Sequence, residues 1–180
     1  MTAPRPSREQ LRFLPLALST AELHALVVGG GREALLKTTM LCRYGARVTV
    51  CSAEPSAALR EQPGITLLLR PFDEGMLAGV TLVYACGEDR EQNRAIGAMA
   101  CARGLLVNVV DDPTHCDFVT PALFQQGEMS VAVSSNGQSV ARSIAWRNAI
   151  RALFDPAPPA AEAPRATTGK VWLVGWIPSC

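Results

Sequence analysis

No apolar stretch in this chain approaches the ~20 continuous residues that a transmembrane helix requires, because Arg, Glu, Asp or Gly interrupts every run even though 48% of the residues are hydrophobic. No membrane partner is expected. Residues 1–9 contain Pro and Arg but lead into no apolar core with a small-residue cleavage site, so no secretory signal is read there and a cytoplasmic location is expected. Net charge is nearly absent too: 17 Lys and Arg against 16 Asp and Glu leave +1, which supplies no global field for nucleic acid or anionic lipid. An acidic ligand would have to be gripped by individual cations such as Arg32, Lys37, Arg90, Arg94, Arg142 and Arg147, residue types that otherwise serve as solvated surface charge. No C-x-x-C pair occurs among Cys42, Cys51, Cys86, Cys101, Cys116 and Cys180. Most of these lie in apolar segments, the pattern of free thiols used as small hydrophobes in a reducing compartment. Histidine is scarce: His115 stands with Cys116 and Asp117 in one loop where adjacent residues cannot converge on an ion, and His24 is the only other, so no metal site is expected.

What is present is an alternation. With 180 residues there is room for one α/β domain and a small appendage. Residues 23–28 form an apolar run ending in Gly29-Gly30-Gly31, and residues 32–44 place Ala34, Leu35, Thr38, Leu41 and Cys42 at helical spacing. Gly45 ends that helix, and the β-branched run at 47–51 predicts a second strand, completing a βαβ unit. Further strands are predicted at 65–69, 80–85 and 105–110, with a short helix at 73–77 and a longer one at 88–103. In the latter, Ile96, Met99 and Ala100 face inward and Arg90, Glu91 and Arg94 outward. This spacing implies an α/β fold, a Rossmann-type doubly wound parallel sheet with helices on both faces. Beyond Pro113 the pattern changes to a small α+β segment: strands at 118–122 and 129–134 around a Gln125-Gln126-Gly127 turn, then an amphipathic helix at 139–154 carrying Ile144, Trp146, Ile150 and Leu153. A Pro/Ala linker at 155–168 precedes one more strand candidate at 169–175. The organisation read from this is a domain at 1–113, a second segment at 114–154, the linker, and a terminal piece at 169–180.

Chemistry concentrates at two places. Gly29, Gly31 and Ala34 supply the G-x-G-x-x-A spacing of a dinucleotide fingerprint: a tight turn, room for a pyrophosphate to approach the backbone, and a small residue for close helix–strand packing. With Gly30, Arg32 and Glu33 they form the predicted cofactor cradle, whose helix N-terminus offers amide donors to phosphate. A glycine-rich turn can also exist without a ligand, but here it ends a strand and opens a helix. The acidic residue expected some 20 positions on is displaced: Ser52 follows the second strand and Glu54 lies beyond it, so either Glu54 or Ser52 with backbone groups holds the ribose, and NAD is not separated from NADP. The second place is Asp111, which closes the fifth strand at the carboxyl edge where open α/β sheets bind ligands. Its carboxylate is placed to act as a base in a hydride-transfer oxidation, although Asp111-Asp112-Pro113 reads equally well as a plain turn.

Taken together, V-V-G-G-G-x-x-A-x-x-K (27–37), G-A-R-V-T-V (45–50), P-F-D (71–73), N-V-V-D-x-P (108–113) and V-A-V-S-S-x-G-x-S (131–139) resemble, in colinear order over residues 12–154, the precorrin-2 dehydrogenase and sirohydrochlorin ferrochelatase module that forms the N-terminal half of bacterial sirohaem synthase. The resemblance implies NAD-dependent oxidation of precorrin-2 to sirohydrochlorin, with ferrous iron insertion at the same site in bifunctional relatives. It implies Asp111 as general base, and a substrate segment at Ser134, Ser135, Gly137 and Ser139 beside the tetrapyrrole. A homodimer built through 118–154 is also implied.

The chain departs from the family pattern in three respects. Asn136, Gln138 and Val140 replace the usual G-G-T-S-P form. The helix at 139–154 leads into the linker where relatives continue into a helical domain. Residues 169–175 resemble the opening strand of the methyltransferase half of fused synthases, but Trp176-Ile177-Pro178 replaces its G-x-G-P loop, as in a fusion cut short. Against the enzyme stands a module that binds NAD(H) or tetrapyrrole without turnover. A ligand-gating module of that kind usually carries an acidic residue at the end of the second strand, where this chain has Cys51-Ser52.

Overall fold

A computed structural model describes residues 12–154; the linker expected at 155–168 and the strand candidate at 169–175 lie outside the described residues. Five short strands, β1 (His24–Val28), β2 (Arg47–Cys51), β3 (Ile65–Leu68), β4 (Leu82–Ala85) and β5 (Leu106–Val109), pair in the order β3-β2-β1-β4-β5. Every pairing is parallel, as the alternating pattern predicts. Parallel strands covered on both faces need apolar side chains in both directions, and these have them. Ala25 and Val27 of β1 pack with Val48, Val50, Leu82 and Tyr84 under helix α1 (Arg32–Arg43), which contributes Ala34 and Leu41. Leu26 and Val28 point the other way, into a second cluster with Val83, Ala85, Val107 and Val109. There helix α3 (Arg90–Ala102) contributes Ile96 and Ala100. Gly97 lets that helix close on β5: a Cβ there would lie 2.8 Å from Val109 Cγ2.

A single helical turn, α2 (Ala57–Arg60), was not expected from the sequence; it buries Leu59 and is tied to the glycine turn by Ser56 N–H donating to Gly30 O at 2.9 Å. The expected short helix near 73–77 is a 3-10 turn, Glu74–Leu77, capped by Asp73.

The second segment departs from expectation in register. Strand β6 is Ala122–Gln126 rather than 118–122, and it pairs antiparallel with β7 (Met129–Val133) with Gln126 opposite Met129. That leaves Gly127-Glu128 as a two-residue turn, with Gly127 at φ 57° in the first central position, where hairpins favour glycine. Residues 118–121 are instead an extended connection laid over β4. Phe118 meets the Tyr84 ring edge-on at 5.3 Å, Thr120 and Tyr84 hydroxyls lie 3.0 Å apart, and Asn108 Nδ2 donates to Phe118 O at 2.9 Å. Helix α4 (Val140–Ala152) packs on the hairpin, with Arg147 donating to Leu123 O at 3.0 Å. Its larger apolar side chains are left uncovered: Trp146 is 62% exposed, whereas small Ser143 is buried. No helix among the described residues is long and apolar enough to cross a membrane.

Candidate functional site

At the carboxyl edge the chain leaves β1 and β4 in opposite directions, opening the crevice where ligands of doubly wound sheets bind. Its first lip is the glycine turn, and the three glycines differ. Gly29 sits at φ 139°, and a Cβ there would lie 2.6 Å from Cys86 O. A Cβ on Gly30 would lie 2.4 Å from Ser52 Oγ and 2.5 Å from Glu54 O. The fold itself demands both. Gly31 has an ordinary φ of −89° and nothing within 4 Å of the place its Cβ would occupy. Protein packing gives no reason for glycine there, and the space beside it is open.

Helix α1 begins at this residue without a side-chain cap, and its first backbone bond is Leu35 N–H to Gly31 O at 3.1 Å. Among the described residues the amides of Arg32, Glu33 and Ala34 thus have no cap, while α3 is capped by Asp89 and α4 by Ser139. Ala34, fully buried, brings the helix against the sheet. An open space over an uncapped helix start fits a dinucleotide pyrophosphate. Ser52 and Glu54 both reach this lip. Ser52 Oγ accepts from Glu54 N at 3.2 Å, and the Glu54 side chain remains exposed.

The second lip was not foreseen. Gly87, just beyond β4, is clamped by buried Asn93: Gly87 N–H donates to Asn93 Oδ1 at 2.9 Å and Asn93 Nδ2 donates to Gly87 O at 2.8 Å. This fixes the Cys86-Gly87 backbone against Gly29. A glycine and an asparagine six positions apart carry no local signature. The one available signal was a polar residue on the inward face of a predicted helix.

The third lip follows β5. Val110 N–H donates to Ala85 O at 3.0 Å, and Asp111 then takes φ 61°, one of only two non-glycine residues with positive φ among those described. Its side chain is exposed and makes no hydrogen bond or ion pair among the described residues. Asp112 is the opposite case. Thr114 Oγ1 and His115 Nδ1 donate to its Oδ1 at 2.8 and 2.9 Å, and Arg94 Nε donates to Oδ2. Burial alone would push the Asp112 carboxyl up, but the hydrogen bonds from His115, Arg94 and Thr114 outweigh it and hold the group well below the usual carboxylate range. Asp112 is therefore no spectator of the turn.

The serine segment meets this lip through Gly137, whose Cβ position lies 3.4 Å from Pro113. Within the segment Ser135 Oγ donates to Ser139 O and accepts from Ser139 N–H, both at 2.9 Å. Ser139 Oγ caps Arg142 N at 3.2 Å, and Ser134 Oγ accepts from Asn136 N–H at 3.2 Å. These hydroxyls shape the turn, and Phe13 N–H donates to Asn136 Oδ1 at 3.3 Å beside them. Glycine turn, Asp111 and serine segment thus stand along one edge. The cysteines nearby are quiet: burial pushes Cys86 up to about 12 and Cys116 up to about 11.

A family model described as "Putative NAD(P)-binding" matches residues 16–122. The chain is 39% identical over 132 residues to Siroheme synthase 1 of Pectobacterium atrosepticum, covering 72% of this chain and 28% of that protein. It is 41% identical over 130 residues to the siroheme synthase of Pseudomonas aeruginosa strain LESB58, covering 71% and 28%. The siroheme synthase of Methylobacillus flagellatus matches at 38% over 147 residues, covering 80% and 32%. The chain thus spans about a third or less of the length of these relatives. Among solved structures, "SirC, precorrin-2 dehydrogenase" shares the fold at a TM-score of 0.66 and 22% identity, over 79% of this chain and 72% of that one. Because the family match runs through the glycine turn, all five parallel strands and the Asp111 lip, the chain belongs to this NAD(P)-binding family.

Proposed function

We propose that this chain oxidises precorrin-2 to sirohydrochlorin, a step of sirohaem synthesis, with NAD as the hydride acceptor. The observation that carries the reading is the shared sheet edge: space over Gly31 fits a pyrophosphate, while Asp111 stands two strands away on the lip that touches the serine segment. The names of the relatives, siroheme synthases and a precorrin-2 dehydrogenase, supply the substrate class.

In this reading Gly29, Gly30 and Gly31 with the amides of Arg32, Glu33 and Ala34 seat the dinucleotide, and Ser52 lies against its ribose. When bound, NAD supplies the acceptor for one hydride. Asp111 takes the proton that leaves carbon as the ring becomes conjugated, so one hydride and one proton are removed per turnover. Residues around Ser134, Ser135, Gly137 and Ser139 form the tetrapyrrole side of the site. Ferrous iron, as a second substrate, would enter the sirohydrochlorin product at the same place. The reading also makes the protein a cytoplasmic homodimer joined through 118–154, which is supported by the exposure of Met129 (74%) and Trp146 (62%). Residues 1–113 then form the nucleotide domain and 114–154 the dimerisation and substrate segment.

The decisive assay mixes purified chain, precorrin-2 and NAD without oxygen and follows absorbance. One NADH formed per sirohydrochlorin is expected. Binding of both ligands without NADH would replace the enzyme by a binding module, and failure to bind NAD would remove the reading altogether.

A further inference from the structure

Asp111 is the residue on which the proposed chemistry depends, yet nothing among the described residues holds its own side chain. Its placement comes from the backbone, and the backbone there is unusual: a non-glycine residue in the left-handed region persists only when its surroundings over-determine it. One neighbour, Val110, is fixed to β4 by its amide. The other is Asp112, where bonds converge from three elements. Its N–H donates to Val109 O at 3.1 Å, and its carbonyl accepts from His115 N–H at 3.0 Å and Cys116 Sγ at 3.3 Å. Its carboxylate, 14% exposed, accepts from Thr114 and His115 in the loop and from Arg94 on α3. Of the carboxylate's partners only Arg94 comes from a distant part of the chain, 18 positions away, so it is the one side chain that ties the Asp112 carboxylate to helix α3.

We propose that Asp112, gripped by Arg94, is a positioning device that imposes the left-handed conformation of Asp111 and thereby aims its carboxylate into the crevice. The role of Asp111 as base rests on the function proposed above; the conformational claim does not. Arg94 acts through the turn and touches no substrate. Removing it leaves the Asp112 carboxylate with only its loop partners, Thr114 and His115, and loosens the turn. Lysine in its place restores a cation that reaches Asp112, although without the planar fork of arginine.

Two measurements test this in the parent chain, Arg94→Met, Arg94→Lys and Thr114→Val. The first is the set of three-bond backbone couplings of Asp111 by NMR, which separate positive from negative φ. A single positive-φ state is expected in the parent and in Arg94→Lys, with averaging in Arg94→Met and, more weakly, in Thr114→Val. An unchanged positive φ in a folded Arg94→Met overturns the proposal. The second is a kinetic cycle with Asp111→Asn. In the parent background Arg94→Met should lower kcat by about 10- to 100-fold, the order expected when a reacting group is misplaced. NAD affinity should not change, and in the Asp111→Asn background the same substitution should cost nothing more. Equal losses in both backgrounds would show Arg94 acting elsewhere and would also overturn the proposal. If the parent chain itself proves inactive, the functional reading fails and the couplings alone decide the positioning claim.

Discussion

The two halves of the described chain are both built of strands and helices but are unequal in burial. Every buried hydrophobic residue lies between Leu23 and Val109; in the hairpin and helix of 122–152 only Ser143 is buried. The sheet unit closes its core on both faces, with α1 over one and α3 over the other. The hairpin and α4 close one face against each other and leave Met129, Val140, Trp146 and Leu153 to solvent. Burial of apolar area is the main source of stability, so the first unit carries most of it and the second contributes little. The candidate site lies on the seam, with its glycine lips in the first unit and its serine segment in the second.

The sharpest way to break this picture is at the seam. Asp111→Asn keeps a residue that tolerates positive φ and removes the base, so kcat should fall by about 10² to 10⁴ with NAD affinity and melting temperature unchanged. Calorimetry and steady-state kinetics on one preparation measure all three. An Asp111→Asn chain with normal turnover would move the chemistry elsewhere. Asp112→Ala, which also removes a carboxylate from this loop, is expected to be damaging in its own right because it removes the anchor of the turn.

Next in size is the contrast in burial itself. Leu26→Ala empties a fully buried position and should cost roughly 2–5 kcal/mol in denaturant unfolding. Trp146→Ala removes a larger side chain that is mostly exposed, and in dilute solution it should cost below about 0.5 kcal/mol. Its effect should appear instead in sedimentation, as a weaker dimer at micromolar concentration. A parent chain that sediments as a monomer, or a Trp146→Ala chain as unstable as Leu26→Ala, would dissolve the distinction.

Smaller again is the effect at the cradle. Gly31→Val introduces a side chain into open space, so the fold should survive while NAD affinity drops by about tenfold or more, a change of ~1.4 kcal/mol that titration calorimetry reads directly. Gly29→Val, where a Cβ would meet Cys86 O, should fail as a fold before it can be tested as a binder. Unaltered NAD binding in folded Gly31→Val would misplace the pyrophosphate.

What could be read from the residues in advance divides along the same line. Strands buried on both faces must be continuous apolar runs, so β1 to β5 stood out to within a residue or two, and the glycine cradle was legible because its signature is local. The first hairpin strand was misplaced because Phe118 and Val119 look like strand residues, whereas the ring of Phe118 is taken up by Tyr84, a partner 34 positions away. Arg94 read as solvated helix charge because nothing nearby reveals that Asp112 waits at the end of another strand. Asn93 was missed for the same reason: its partner is backbone, and backbone has no letter in the sequence. Trp146 and Ile144 gave α4 its apolar face, but a single chain cannot announce what covers it.

The smallest expected effect concerns acid and the carboxylate beside the seam. Ion pairs join Arg70 to Asp73, Arg103 to Glu74, and both Arg94 and His115 to Asp112. The Asp112 carboxyl is held below its ordinary value in the folded chain, so it binds its proton more readily when unfolded. A group depressed in this way contributes stability that is fully present above the unfolded value near 4 and is lost as pH falls through the folded value. Arg94 is half exposed, and exposed pairs are weak, so the loss that depends on it should be no more than about 1 kcal/mol. Unfolding midpoints measured from pH 6 downward should therefore fall more steeply below pH 4 in the parent than in Arg94→Met, with the two curves converging in acid. Parallel curves would mean that Asp112 keeps its proton affinity without Arg94, leaving His115 and Thr114 as its effective partners.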